Sequence, residues 1–334
     1  MPLYRYIITP RGAFGTPMRS DTLHGQLLCA AAELDGQDAV TELITAFESD
    51  KPPFICSSAL PEGMLPMPCL PPLPRDEFRA RFCKQDGPFC GDRVRALNFY
   101  KAFRKLAYVP IGVWSELRSG LDQASLFKRW VQDWRNDCNA FHPKQASAEA
   151  VWQTAHVESH NSIDRATGGV LQDGGLFLSE STFFGSDARL DLYVRAETPE
   201  AFERLLGHVA ATGFGRDTST GKGWFTFERD DTFDPSRLKG LGTHRMTLSV
   251  LSAMDMSEAK GWYRVFAKSG RVWGALGEGN PFKKTFLAMA EGSVFESLPD
   301  RGYVLRGLHP NPKVVQVTWP VTIAFTLATQ EAAA

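Results

Sequence analysis

The stretch Gly213-Phe214-Gly215-Arg216-Asp217-Thr218-Ser219-Thr220-Gly221-Lys222-Gly223 gathers four glycines, two cations and three hydroxyl side chains. Glycine admits positive φ and lets successive N–H groups converge on an anion, while Arg216 and Lys222 add charge-assisted contacts to phosphate. A Walker nucleotide loop is a poor match. Five residues separate Gly215 from Gly221 where four are needed, and Gly223 stands in place of the magnesium-binding hydroxyl. Thr218 occupies the third glycine position of the dinucleotide pattern. Gly215, Arg216, Thr218, Ser219 and Lys222 are therefore candidate contacts to a sugar-phosphate backbone, with a plain helix-to-strand turn as the alternative.

Arg19-Ser20-Asp21-Thr22-Leu23-His24-Gly25 opens a predicted helix, where exposed N–H groups and the positive helix end attract anions. Ser20 and Asp21 serve equally well as ordinary caps. His24 invites a nuclease reading, although no second acid or base is fixed beside it by spacing. In Asn161-Ser162-Ile163-Asp164-Arg165, the residues Asn161, Ser162 and Arg165 suit ribose, base-edge or phosphate contacts, and Asp164 suits orienting Arg165. A polar turn explains the same residues. Cys138, His142, His156 and His160 are zinc-ligand types, but the paired-cysteine signature is missing. No metal and no cofactor is assigned. No Ser-His-Asp order, HExxH motif or paired-carboxylate signature rises above chance.

The elements that position these residues are an alternation of strands and helices. Leu3 to Thr9 reads as a strand, followed by a helix from Ser20 or Asp21 to Gly36. Prolines between Lys51 and Pro74 exclude regular helix and favour an extended excursion. Strands are expected at Leu171 to Leu178, Leu190 to Ala196 and Trp224 to Glu228, with a helix from Pro199 to Ala211. Arg229 to Arg237 reads as a linker. A second strand-first unit opens at His244 to Leu251, with late strands at Val314 to Val317 and Val321 to Leu327. The expected class is α+β, with modules at 1–236 and 237–334 whose element order is compatible with ferredoxin-like, RRM-like βαββαβ units carrying inserted loops.

A formal net charge of −1 shows no general affinity for polyanions, so any nucleic-acid surface must come from local clustering. One such cluster exists. Between Arg75 and Lys105 nine Lys or Arg face four Asp or Glu, a surplus of +5 that equally fits a solvated helix face. Six dispersed cysteines and the lack of any apolar run near the roughly 20 residues of a membrane span predict a cytoplasmic protein with reduced thiols and no membrane partner.

Taken in order, these motifs resemble the RAMP superfamily of CRISPR-associated proteins, most closely the subunit-four group of type III-A (Csm) effector complexes. Thr16 to Gly25 looks like that family's helix-opening signature, with His24 where an aromatic is commoner. Leu60-Pro61-Glu62-Gly63-Met64-Leu65-Pro66-Met67-Pro68, then Phe103 to Pro110, is similar to its proline-rich excursion and basic segment. Asn161 to Arg165, the glycine loop and Glu291-Gly292-Ser293-Val294-Phe295 complete the correspondence.

The resemblance implies a Cas-five-like cap built from two ferredoxin-like modules. Such a cap holds the 5′ repeat-derived tag of the crRNA, docks the large signalling subunit, adjoins the backbone RAMP subunit and meets target RNA only indirectly. It also implies a projecting hairpin, expected within Pro74 to Lys105. Phe214 and Trp224 are candidate stacking rings, although core packing is the commoner use of such rings. A Cas-six-type repeat-processing endoribonuclease using His24, and a protein-only scaffold, are the competing readings.

Overall fold

The computed structural model describes residues 1–143, 152–170, 175–252, 260–272, 279–296 and 301–328. Strand β1 (Leu3–Pro10) alternates as its sequence predicts, with Tyr6 and Ile8 fully buried on one face and Arg5, Ile7 and Thr9 on the other. Helices α1 (Ser20–Asp35) and α2 (Gln37–Glu48) follow, separated by Gly36 at φ 86°. The proline-rich excursion is extended, forming only the short strands β2 (Phe54–Cys56), β3 (Leu60–Pro61) and β4 (Met64–Pro66).

The basic tract departs from expectation. It forms helices α3 (Arg75–Phe82) and α4 (Arg93–Phe103), not a hairpin. The reason is aromatic: Phe78 and Phe82 lie one helical turn apart and pack with Phe103 on Phe127, the Phe82 and Phe127 ring centroids being 4.8 Å apart. Phe127 belongs to α6 (Gln123–Asn136), which follows β5 (Tyr108–Pro110) and α5 (Ile111–Leu117).

The projecting hairpin lies further on, formed by β6 (Gln153–Asn161) and β7 (Leu176–Phe184). Its register runs from Gln153 opposite Phe184 to Asn161 opposite Leu176, and Ile163 opposite Val170 closes its outer end. Most of its side chains are exposed, including Leu176 at 71% and Leu178 at 68%. The strand expected at Leu171 to Leu178 survives from Leu176 onward; residues 171–174 lie outside the described residues.

β8 (Leu190–Ala196), α7 (Glu200–Thr212) and β9 (Phe225–Arg229) complete the first sheet. Its order is β2-β8-β1-β9, antiparallel throughout, with β3 also paired to β8. α1 packs against α2 and α7, and the Tyr6 and Phe202 ring centroids stand 5.4 Å apart beneath them.

Residues 238–328 contain no α-helix among those described, so a second βαββαβ order is not seen there. Gly261–Trp262, Val294–Phe295, His244–Thr247 and Thr322–Phe325 form a four-stranded sheet in that order, beside a three-stranded and a two-stranded sheet. One hydrophobic core spans both halves. Trp114 meets Phe325 at 5.3 Å between ring centroids, and Phe47 approaches Trp319 at 6.4 Å. All six cysteines are free, and no described helix is long and apolar enough to cross a membrane.

Candidate nucleic-acid interface

The first turn of α1 faces inward, which corrects the expectation that its side chains meet RNA. Ser20, Asp21 and His24 are each about 1% exposed. The Ser20 amide donates to Ser58 Oγ at 3.0 Å, and its hydroxyl oxygen accepts the Val250 amide at 2.8 Å. The Asp21 carboxylate meets Lys268 Nζ at 2.9 Å, and the same ammonium donates to Thr22 Oγ1 at 3.1 Å. The Thr22 and Leu23 amides bond back to the Arg19 carbonyl. These helix-end groups thus already have internal partners.

His24 donates from Nδ1 to the Ser20 carbonyl at 2.7 Å and lies among Phe47, Phe54 and Cys56. Burial lowers its pKa from 6.5 to about 4. The imidazole is a neutral ring enclosed by the core.

The glycine loop braces the hairpin. Gly213, Gly215, Gly221 and Gly223 all have positive φ, and Asp217 is left-handed at φ 62°. A Cβ on Gly223 would come within 1.9 Å of the Phe214 carbonyl, so the close crossing of these two segments requires glycine. Lys222 Nζ reaches Glu158 Oε2 at 3.0 Å and Ser181 Oγ at 2.8 Å, one partner on each hairpin strand. Arg216 donates to the Glu180 carbonyl. The Gly215 amide bonds Gln26 Oε1, the Arg216 amide bonds Thr16 Oγ1, and Thr218 and Ser219 lie in a short 3-10 turn. Lys222 and Arg216 thus both reach protein groups, Lys222 largely buried and Arg216 still exposed. Lys222 in turn holds the Glu158 carboxyl below its ordinary range.

Directly opposite residues of an antiparallel pair share a face, so the hairpin has two distinct sides. His156, Glu158, His160, Ser179 and Ser181 lie on the side braced by Lys222. His156 and His160 flank Glu158, and no group of metal-ligating residues assembles among the described residues. The other side carries Ala155, Val157, Leu176, Leu178 and Asn161, and at its base Gln153, Thr182 and Phe184.

That base opens into a groove of about 540 Å³, lined by Arg19, Tyr108, Trp152, Arg264, Phe266 and Glu291 among others. Arg19 lies over the Phe266 ring at 4.7 Å and faces Glu291 Oε1 at 3.7 Å. Glu291 also accepts Ser58 Oγ at 2.5 Å, and Arg264 donates to the Glu291 carbonyl at 3.0 Å. Two guanidinium groups beside one carboxylate leave net positive charge among aromatic walls, a setting for phosphate with adjacent bases.

The sequence-derived residues thus divide. Arg19 and Asn161 fall on the groove side. Ser162, Asp164 and Arg165 form the outer turn of the hairpin, where the Asp164 carboxylate binds the Ala166 amide and Thr167 hydroxyl, not Arg165. Phe214 is fully buried, whereas Trp224 is 52% exposed. Arg264 and Phe266 were missed because nothing in their own stretch marks them, whereas Tyr108 and Glu291 lie within the singled-out segments Phe103 to Pro110 and Glu291 to Phe295.

Between pH 6.5 and 4 the unfolded chain protonates His24 and the native chain does not, so stability falls as pH drops through that window. The expected loss is on the order of 3 kcal/mol, seen as a falling urea midpoint that His24→Phe flattens. Lys222→Ala should speed amide exchange across β6 and β7 roughly fivefold, equivalent to about 1 kcal/mol of lost bracing, while β1 exchange stays unchanged.

No protein-family model matches the chain, and no curated protein matches it. Solved structures do. A chain of the Csm3–Csm4 subcomplex in the type III-A CRISPR-Cas interference complex aligns with a TM-score of 0.58 at 16% identity, over 97% of this chain and 99% of that one. The Csm1–Csm4 cassette in complex with cA4 gives 0.54 at 18% identity, over 98% and 100%. The cassette with one ATP gives 0.54 at 17%, over 98% and 100%. Csm4 is the subunit common to these assemblies. Identity this low speaks for architecture and not for chemistry. Over nearly its whole length the chain has the fold of Csm4.

Proposed function

We propose that this chain is a non-catalytic subunit of a type III-A CRISPR effector complex that holds the 5′ repeat-derived tag of the crRNA. The observation that carries the reading is the groove at the hairpin neck, where Arg19 and Arg264 stand among Tyr108, Phe266 and Trp152. Guanidinium groups there neutralise phosphates, and the groove-facing side of the hairpin offers an apolar ledge for splayed bases. The end-to-end likeness to Csm4 supports the assignment to an effector complex, with a large Csm1-like subunit and a Csm3-like backbone subunit as partners and target RNA met indirectly.

The finer architecture belongs to the same reading. The order β2-β8-β1-β9, with α1 and α2 bridging β1 to β2 and α7 bridging β8 to β9, supports a ferredoxin-like module across 1–236. Residues 237–334 then form a second domain docked on its core. The complex acts in the cytoplasm.

Arg19→Ala with Arg264→Ala should lower the slope of log affinity against log salt by about 1.4 for tag-sequence RNA, since single strands lose roughly 0.7 per phosphate contact. Filter binding measures it. Unchanged slope and affinity contradict the groove as the binding site, and specific cutting of repeat RNA by pure protein contradicts the non-catalytic assignment.

A further inference from the structure

From Arg93 to Ser115 the chain contains no Asp or Glu, yet it carries Arg93, Arg95, Lys101, Arg104 and Lys105. All five are exposed. α4 buries Ala96 and Phe103 and packs Phe99 against Trp130 and Trp134, which fixes which side faces outward. Arg93, Leu97, Lys101 and Arg104 recur at helical spacing on that outer side, with Val94 70% exposed beside them. The nearest acid, Asp92, is engaged as the helix cap, its carboxylate accepting the Arg95 amide at 3.0 Å.

This basic stretch runs into the groove. Lys105 is two residues from Ala107, at most about 7 Å of chain, and Ala107 and Tyr108 line the groove wall. The Ala107 carbonyl anchors the wall to Met67 at 2.8 Å.

We infer that the outer face of α4 is a second phosphate-binding surface, which takes the RNA strand beyond the groove and extends the grip along Lys105, Arg104, Lys101 and Arg93. The inference rests on the groove as an RNA site. Lys101 and Arg104 stand about one helical turn apart and Arg93 about 12 Å further along the axis, so the row spans several phosphates of an extended strand. A protein partner fits less well: Val94 and Leu97 are ringed by cations, and no exposed aromatic anchor lies on this side of α4.

The test uses the full chain and two oligouridylates, one of about eight nucleotides and one of about 24, bracketing the usual site sizes of single-strand binders. Wild type should bind the longer RNA with the steeper salt dependence. Combined Arg93→Gln, Lys101→Gln, Arg104→Gln and Lys105→Gln should reduce that slope by about 2 to 3, weaken the longer RNA roughly 10- to 100-fold at low salt and leave the shorter RNA unaffected. Arg95→Gln, off this face, should change neither. Equal slopes for both RNAs in wild type, or a fourfold variant that binds the longer RNA normally, overturns the inference. So does a variant that keeps its RNA affinity but loses a protein subunit from the reconstituted complex. Failure of the groove itself looks different: the shorter RNA does not bind, while the longer one still does and still depends on the four cations.

Discussion

The carboxylate of Asp21, fully buried and held 2.9 Å from the Lys268 ammonium, is the constraint around which the molecule is assembled. A charge so placed is tolerable only when paired, because an uncompensated buried ion costs about 3–5 kcal/mol. Its neighbours tie the same helical turn to everything nearby. Ser20 accepts from Val250, the Asp21 carbonyl accepts Gln316 Nε2 at 2.8 Å, and Ser58 joins Ser20 to Glu291. Both halves of the chain are thereby locked to one point, and Arg19, the residue immediately before it, is delivered to the groove.

Cations fasten protein groups in several places, and some of them also border open surface. Lys222 and Arg216 bind the hairpin from behind, Lys268 neutralises Asp21, and Arg5 bridges Asp191 and Asp230. Arg19 and Arg264, which also touch Glu291, line an open groove, and the cations of α4 stand exposed on a stretch whose sequence holds no acid. A near-neutral chain can present a positive path without any excess of charge overall where cations cluster locally.

The sequence was most legible where local rules decide. β1, α1, α7 and the proline-rich excursion appear close to the positions that periodicity, caps and prolines indicate. It was least legible where burial reverses a motif's meaning. Ser20, Asp21 and His24 carry the residue types of an anion site, yet long-range partners such as Val250 and Lys268 turn them into a staple. The basic tract was misread as a hairpin because the pairing of Phe78 and Phe82 with Phe127 depends on a helix some 45 residues away in sequence. Likewise the groove draws on residues near 19, 58, 108, 152, 264 and 291, a combination no single stretch announces.

The central claim is that RNA enters between the hairpin neck and the second half of the chain, against Tyr108 and Phe266. Photo-crosslinking of RNA within the intact complex, read by peptide mass spectrometry, addresses it most directly. The account predicts crosslinked nucleotides on Tyr108 and Phe266 and on the groove-facing side of β7. Adducts confined to Trp224 or to the outward face of β9, with none in the groove, would contradict it.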